Sequence, residues 1–179
     1  FPEALAGVDP RAFARAACRV GRSAIRVEAD EVTYNLHVLV RVGLEVALFR
    51  DELAVADLPG AWRERYTEIV GYTPVDDLEG VLQDVHWSAG LFGYFGTYTL
   101  GNLYCAQLVE ALRRDVDLEA HVAAGEFAPV LGWMRDKVHR HGSLLPAGEL
   151  MRAATGEPLS HRPFMRYLEE KYGALYDLA

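Results

Sequence analysis

The stretch that decides the fold runs from Asp30 to Arg50 and reads DEVTYNLHVLVRVGLEVALFR. Apolar side chains recur in it at intervals of three and four residues, a spacing that places them along one side of an α-helix. These residues are Leu36, Leu39, Val40, Gly43, Leu44, Ala47 and Leu48. Asp30 stands before the stripe as a helix cap, and Arg41, Glu45 and Arg50 fall outside it. The sequence therefore predicts an amphipathic helix that buries its apolar side.

Comparable helical patterns cover most of the remaining chain, and no repeat or linker divides it. Residues 23–29 lack helical periodicity, so an extended stretch is an alternative there. We predict an all-α helical bundle that forms a single region over residues 1–179, with at most a short strand near residues 24–28. The other predicted helices span residues 10–20, 57–70, 97–114, 117–124, 127–141, 147–154 and 161–172.

Composition excludes several classes of protein. The 179 residues include 18 Lys and Arg against 26 Asp and Glu, and the resulting net charge of −8 argues against a nucleic-acid partner. Two cysteines are too few for a disulfide scaffold or a four-cysteine zinc module. No apolar run approaches the ~20 residues of a membrane span. We expect a soluble, intracellular protein with no membrane partner.

The irregular segment 79–96 is the first candidate site. Its residues Gln83, Asp84 and His86 lie beside Trp87 in a stretch rich in glycine and aromatic residues. Polar groups gathered among aromatic rings on an irregular backbone are typical of a binding or catalytic pocket. From composition alone, the favoured interpretation is a loop with one buried His86, hydrogen-bonded to Asp84 or Gln83.

Arg26 is the second candidate, because it is a fork-shaped cation between the apolar residues Ile25 and Val27. Such a guanidinium suits the recognition of a carboxylate. A surface position, or an ion pair with Glu28 or Asp30, is the alternative. The two histidines of His139-Arg-His141 point away from each other on a helix and predict no metal site.

Two motifs carry a resemblance to a known family. IRVEAD at residues 25–30 matches I-R-x-x-A-D, and GVLQDVHW at residues 80–87 matches G-x-x-Q-D-x-H-W. Both patterns resemble those of the carboxypeptidase Taq family, zinc-dependent metallocarboxypeptidases that release residues from peptide C-termini. The resemblance implies a helical, zincin-like fold, broad specificity for peptide C-termini, a cytoplasmic location and a homodimer.

The resemblance also implies that part of the enzyme lies elsewhere. The family's zinc ligands belong to an H-E-x-x-H helix and a later Glu, both upstream of the matching region, and the chain begins with Phe1 rather than Met. We therefore expect the C-terminal third of an enzyme whose intact form binds Zn²⁺. This part alone should contain no metal ligands, bind no zinc and be inactive.

The remaining residues receive roles through the resemblance. His86 and Tyr98 would stabilise the tetrahedral oxyanion, as a His and a Tyr do in angiotensin-converting-enzyme-like peptidases, and Tyr94 is the rival tyrosine. Arg26 would bind the substrate's C-terminal carboxylate, and Gln83 and Asp84 would orient His86 or hold the substrate backbone. The alternative function, from a different class, is a non-catalytic helical interaction module that retains the family sequence.

Overall fold

The computed structural model describes residues 3–178, and every regular element within them is helical. This confirms the predicted all-α class. Phe1, on which the prediction of an incomplete start depends, lies outside the described residues, as do Pro2 and Ala179. The α-helices are α1 (Pro10–Ala17), α2 (Tyr34–Phe49), α3 (Leu58–Ile69), α4 (Gly96–Asp115), α5 (Leu118–Ala124), α6 (Ala128–Lys137), α7 (Ala147–Thr155) and α8 (Arg162–Tyr176).

Short 3₁₀ turns complete the regular structure. One of them, Arg26–Glu28, occupies the segment for which a short strand was the alternative. Another, His139–His141, follows α6, so the helix predicted over residues 127–141 is interrupted after Lys137.

The chain packs into two compact units, and each is described by itself. Within the described residues, the first unit comprises residues 3–99 and 173–178, and the second comprises Leu100–Tyr172. The single region predicted over residues 1–179 stays a prediction. No helix within residues 3–178 combines the length and the apolar character that a membrane crossing requires.

The core of the first unit lies between α2 and α3. Val40 and Leu44 of α2 pack against a group of buried residues from α3 and its end, namely Leu58, Trp62, Tyr66 and Val70. The rings of Trp62 and Tyr66 stack with their centroids 6.1 Å apart. Removal of a side chain such as Trp62 from this core would cost about 3–5 kcal/mol, because neighbouring atoms cannot fill the cavity completely.

The buried side of α2 differs from the predicted one. Arg41 and Glu45, which we expected outside the apolar stripe, are 0% and 6% exposed, whereas Leu39 of the stripe is 54% exposed. The reason is that polar partners cover this side of the helix: Arg41 bonds to Asp84, and Glu45 accepts a hydrogen bond from the backbone N–H of Gly93. Periodicity recognises apolar residues but not a charge that has a buried partner.

The cap of α2 also differs in detail. Asp30 does not directly precede the helix, which begins at Tyr34. Its carboxylate instead accepts hydrogen bonds from the backbone N–H groups of Gly21, Val32 and Thr33 and from the Thr33 hydroxyl. Burial opposes ionisation, but these bonds outweigh it and hold the pKa of Asp30 below its usual value. Asp30 is therefore structural, as the sequence predicts.

The second unit has its own core and its own helix ends. Ala111 and Leu112 of α4 pack against Trp133 of α6. Gly125 and Gly156 end α5 and α7 in the left-handed conformation, with φ of 72° and 88°. The helix predicted over residues 161–172 instead continues past Gly173 to Tyr176. Gly173 keeps a helical backbone and is not among the glycines with positive φ.

Candidate functional site

The segment that carries the predicted site folds back against α2 through two glycines. Gly90 and Gly93 have φ values of 73° and 74°, which side chains other than glycine rarely adopt. The carbonyl of His86 accepts a hydrogen bond from the N–H of Leu91 at 2.8 Å. The N–H of Gly93 donates to Glu45 Oε1 of α2 at 2.5 Å. These bonds fix both ends of the turn that presents His86.

Asp84 lies between two buried arginines. Its Oδ1 accepts hydrogen bonds from Arg26 Nη2 at 2.7 Å and Arg26 Nε at 3.2 Å, and its Oδ2 accepts one from Arg41 Nε at 2.6 Å. Burial alone would raise the pKa of Asp84. The hydrogen bond from Arg26 and the charge of Arg41 outweigh that effect and hold the pKa below its usual value. Asp84 is thus held as a carboxylate.

Gln83 uses both ends of its amide within the protein. Its Oε1 accepts hydrogen bonds from Arg41 Nη2 at 2.6 Å and from the backbone N–H of Arg26 at 3.0 Å. Its Nε2 donates to the carbonyls of Ala24 and Glu79, at 3.1 and 2.7 Å. An amide with both donors and its acceptor engaged in this way joins the Arg26 turn to the loop.

His86 connects the charged group to a phenol. Its Nε2 lies 2.9 Å from the hydroxyl of Tyr98, a hydrogen bond whose direction depends on the tautomer. Its Nδ1 lies 4.0 Å from Asp84 Oδ1 and has no hydrogen-bond partner among the described residues. The ring is 8% exposed and packs against Phe95, with centroids 4.3 Å apart. A carboxylate, an imidazole and a phenol therefore follow one another in space.

The two candidate tyrosines, Tyr98 and Tyr94, make different contacts with His86. Tyr98 lies in the first turn of α4, and the guanidinium carbon of Arg26 is 4.9 Å from the centre of its ring. Tyr94 is 43% exposed and touches His86 only through its ring, with centroids 5.8 Å apart. Among the described residues, it is therefore the hydroxyl of Tyr98 that forms a hydrogen bond with the imidazole of His86.

All six predicted site residues therefore lie in one cluster. The structure also decides between the open alternatives for two of them. His86 is buried, but its hydrogen-bond partner is Tyr98 rather than Asp84 or Gln83. Arg26 is buried and ion-paired, but its partner is Asp84 rather than Glu28 or Asp30. The full set is Arg26, Gln83, Asp84, His86, Tyr94 and Tyr98.

Sequence reasoning missed a second layer of buried polar residues behind this cluster. Tyr66 donates its hydroxyl proton to the carbonyl of Ala24, so the bond of 2.5 Å between His37 Nδ1 and the Tyr66 hydroxyl places a proton on Nδ1. Burial, and then the charges of Arg41 and Arg26, lower the pKa of His37 to about 4. His37 is therefore neutral, and its Nε2 is buried without a hydrogen-bond partner among the described residues.

A signal for this layer exists in the sequence. His37, Arg41 and Leu44 are spaced four and three residues apart, as residues on one side of a helix are. Leu44 belongs to the predicted apolar stripe, so the two polar residues share its buried side. What the spacing does not give is their partners, which lie 43 and 42 residues after Arg41 and 29 residues after His37.

The described residues do not fit a metal ion. They contain no group of three or more His, Cys, Asp or Glu side chains placed to ligate one.

A cavity of about 250 Å³ beside the loop is lined by α2 and by two glycines, and none of the six predicted site residues lines it. Its lining residues are Val42, Glu45, Val46, Phe49, Gly93 and Gly96.

The chain is similar to metallocarboxypeptidases of one family both in sequence and in structure. Residues 1–172 match the family described as carboxypeptidase Taq (M32) metallopeptidase. Thermostable carboxypeptidase 1 of Thermus thermophilus is 56% identical over 155 residues, which cover 86% of this chain and 30% of that protein. Carboxypeptidase 1 of Bacillus subtilis is 45% identical over 165 residues, 92% of this chain and 33% of that protein.

Among solved structures, that of the M32 carboxypeptidase from Deinococcus radiodurans R1 superposes with a TM-score of 0.94 at 44% identity. The match covers 99% of this chain and 36% of that chain. The chain thus spans about a third of the length of the relatives it matches.

Proposed function

Because the chain belongs to the carboxypeptidase Taq (M32) metallopeptidase family, we propose that it is the C-terminal part of a zinc-dependent metallocarboxypeptidase. The intact enzyme would release C-terminal residues from peptides with broad specificity, as a cytoplasmic homodimer. Its Zn²⁺ would be held by the rest of the enzyme, because the described residues offer no ligand set. In this proposal the 179 residues alone bind no zinc and are inactive.

The observation that carries the proposal is that Arg26 and the His86–Tyr98 pair share Asp84 and adjoin one another. A carboxypeptidase must bind a free carboxylate one residue away from the bond it cleaves. One residue spans about 3.8 Å between Cα atoms, so the group that reads the carboxylate and the groups that act on the carbonyl have to be neighbours. Arg26 and Tyr98 meet that requirement.

The charges of the cluster support an anionic ligand. Two buried guanidiniums, Arg26 and Arg41, face a single carboxylate, Asp84, and burial keeps His37 neutral. A buried excess of positive charge is unfavourable unless an anion compensates it. In our proposal the C-terminal carboxylate of the peptide is that anion, and Arg26 is its anchor.

The His86–Tyr98 pair would act on the carbonyl oxygen of the bond that is cleaved. Negative charge develops on that oxygen in the tetrahedral transition state, and a donor placed there in advance lowers the barrier. The hydroxyl of Tyr98 would donate to this oxygen, and the bond to His86 Nε2 would hold the phenol in place. Gln83 and Asp84 would orient His86, since protein atoms already occupy the amide of Gln83. Tyr94 remains the rival donor.

The test of the anchor uses the full-length enzyme and pairs of substrates that differ only in a free or amidated C-terminus. Arg26→Ala should raise KM for the free-carboxylate peptide by at least ~10-fold, equivalent to roughly 1.4 kcal/mol, and much less for the amidated one. Arg113→Ala, which removes an exposed arginine paired with Glu119, is the matched control and should change neither value. Equal effects of Arg26→Ala on both substrates would remove Arg26 from the anchor role.

A further inference from the structure

Arg41 is the most deeply placed charged residue of the site, yet it belongs to neither sequence motif. It is 0% exposed, and its guanidinium donates three hydrogen bonds of 2.6 Å, to Asp84 Oδ2, Gln83 Oε1 and the carbonyl of His37. The guanidinium carbon also lies 4.7 Å from the centre of the Trp62 ring, within reach of a cation–π interaction. Arg41 thus joins α2, α3 and the site loop.

The contacts of Arg41 determine which oxygen of Asp84 faces the site. Arg41 holds Oδ2, and this leaves Oδ1 toward Arg26 Nη2 at 2.7 Å and toward His86 Nδ1 at 4.0 Å. The same guanidinium holds the amide oxygen of Gln83, the residue before Asp84. Rotation of the carboxylate would break the bond from Arg41 Nε as well as the bonds from Arg26.

We propose that Arg41 is a positioning residue, which orients Asp84 and thereby the His86–Tyr98 pair without touching substrate. The proposal rests on the carboxypeptidase function proposed above. A planar guanidinium can donate in three directions at once, toward a carboxylate, an amide and a carbonyl, whereas the ammonium of lysine is a compact point charge on a flexible stem. Orientation, rather than charge alone, is what Arg41 supplies.

If Arg41 only stabilised the fold, its replacement would lower the stability of the protein rather than kcat. Without Arg41, Asp84 still pairs with Arg26, so one carboxylate would face one guanidinium and the buried charge would balance. Removal of one partner from a buried ion pair is costly because it leaves a buried charge unpaired, and here Asp84 keeps Arg26 as its partner. Arg41→Met should therefore leave a folded protein, and the loss should appear in catalysis.

The test compares Arg41→Lys and Arg41→Met in the full-length, metal-loaded enzyme, with Arg113→Lys as the surface control. We expect kcat to fall at least tenfold in both variants, while KM for a free-carboxylate peptide stays within about threefold of the parent in Arg41→Lys, which keeps the positive charge of the cluster. Arg41→Lys keeps the charge and loses the fork, so it should not restore kcat. Unchanged kcat, recovery in Arg41→Lys, or unfolding of both variants would each overturn the proposal.

A second readout does not depend on activity. The ¹⁵N chemical shifts of the His86 ring report its tautomer, which the neighbours of its two nitrogens set. We expect these shifts to change in Arg41→Lys and Arg41→Met but not in Arg113→Lys. If the parent enzyme has no carboxypeptidase activity, the proposed function fails, and unchanged shifts in the Arg41 variants would refute the positioning role separately.

Discussion

Each unit of the molecule contains a buried polar cluster, and the two clusters are built on different principles. In the second unit, Gln107 donates to the carbonyls of Glu157 and Pro158 and to the Thr155 hydroxyl, and it accepts from the N–H of Ser160. Every group in that cluster is neutral, and most partners are backbone atoms that connect α4 to the segment after α7. Its function is to fix a connection.

The cluster in the first unit is charged and joins side chains to one another. Asp84 lies between Arg26 and Arg41, and two imidazole nitrogens, His86 Nδ1 and His37 Nε2, are buried without hydrogen-bond partners among the described residues. A neutral cluster with satisfied donors and acceptors stabilises a fold. A charged cluster that is enclosed by aromatic rings and contains nitrogens without hydrogen-bond partners has the properties of a binding or catalytic site.

The largest expected effect that separates the two clusters is that of Asp84→Asn. This change leaves two buried guanidiniums without a carboxylate and should destabilise the full-length protein by about 3–5 kcal/mol, as the removal of one partner from a buried ion pair does. The same substitution should abolish peptidase activity. Chemical denaturation measures the first effect, and a loss below about 1 kcal/mol would mean that solvent already screens the cluster.

As pH falls, the free energy of unfolding of the first unit should begin to decrease at a higher pH than protonation of its carboxylates alone would cause. The pKa of His37 is about 4 in the folded state against 6.5 for the free side chain, so the unfolded chain binds the proton first as pH falls. Stability from the neutral ring is complete above pH 6.5 and declines by roughly 3 kcal/mol toward pH 4.

The contribution of Asp84 should be lost in a different range. Its pKa in the folded protein lies below the ordinary value of 3.8. The stability that the Asp84 carboxylate contributes is therefore lost only as pH falls below about 3.8. His37→Asn, which can still donate to Tyr66, should flatten the stability profile between pH 6.5 and 4 and leave the lower range unchanged. A profile identical to the parent's would show that His37 does not titrate as the structure indicates.

The two tyrosines test the position of the transition-state donor. Tyr98→Phe in the full-length enzyme should lower kcat by about 10²-fold with little change in KM, the size of effect seen when one oxyanion donor is lost. Tyr94→Phe is the matched control and should lower kcat much less, because its hydroxyl has no bond to His86. A silent Tyr98→Phe together with a large Tyr94→Phe effect would reverse the assignment.

The smallest effect on catalysis should come from the second cluster. Gln107→Leu removes hydrogen bonds to backbone groups and leaves them unsatisfied, so it should cost about 1–3 kcal/mol in unfolding free energy. At a temperature where the protein stays folded, kcat should equal that of the parent. A change in kcat comparable to that of Tyr98→Phe would contradict the separation of the two clusters.

Most of the fold follows from local sequence. The helix predicted for residues 97–114 runs over Gly96–Asp115, and Asp117 and Gly125 bound α5 because capping chemistry is local. The errors arise where distant contacts decide the result. Arg41 is buried because Asp84, 43 residues later, pairs with it.

The site could be predicted only in part for the same reason. The motif around His86 and the turn around Arg26 are recognisable as sequence, and the structure places them together. The orientation of Asp84, the bond between His86 and Tyr98, and the buried His37 depend on side chains that meet only after folding. No periodicity encodes those pairings.

The most direct test of the central claim is a crystal structure of the full-length enzyme with a bound peptide that ends in a free carboxylate. The account predicts a guanidinium nitrogen of Arg26 and the hydroxyl of Tyr98 at about 3 Å from the carboxylate and from the carbonyl oxygen of the cleaved bond, respectively. A peptide whose C-terminus lies away from Arg26, with Tyr98 still bonded only to His86, would contradict it.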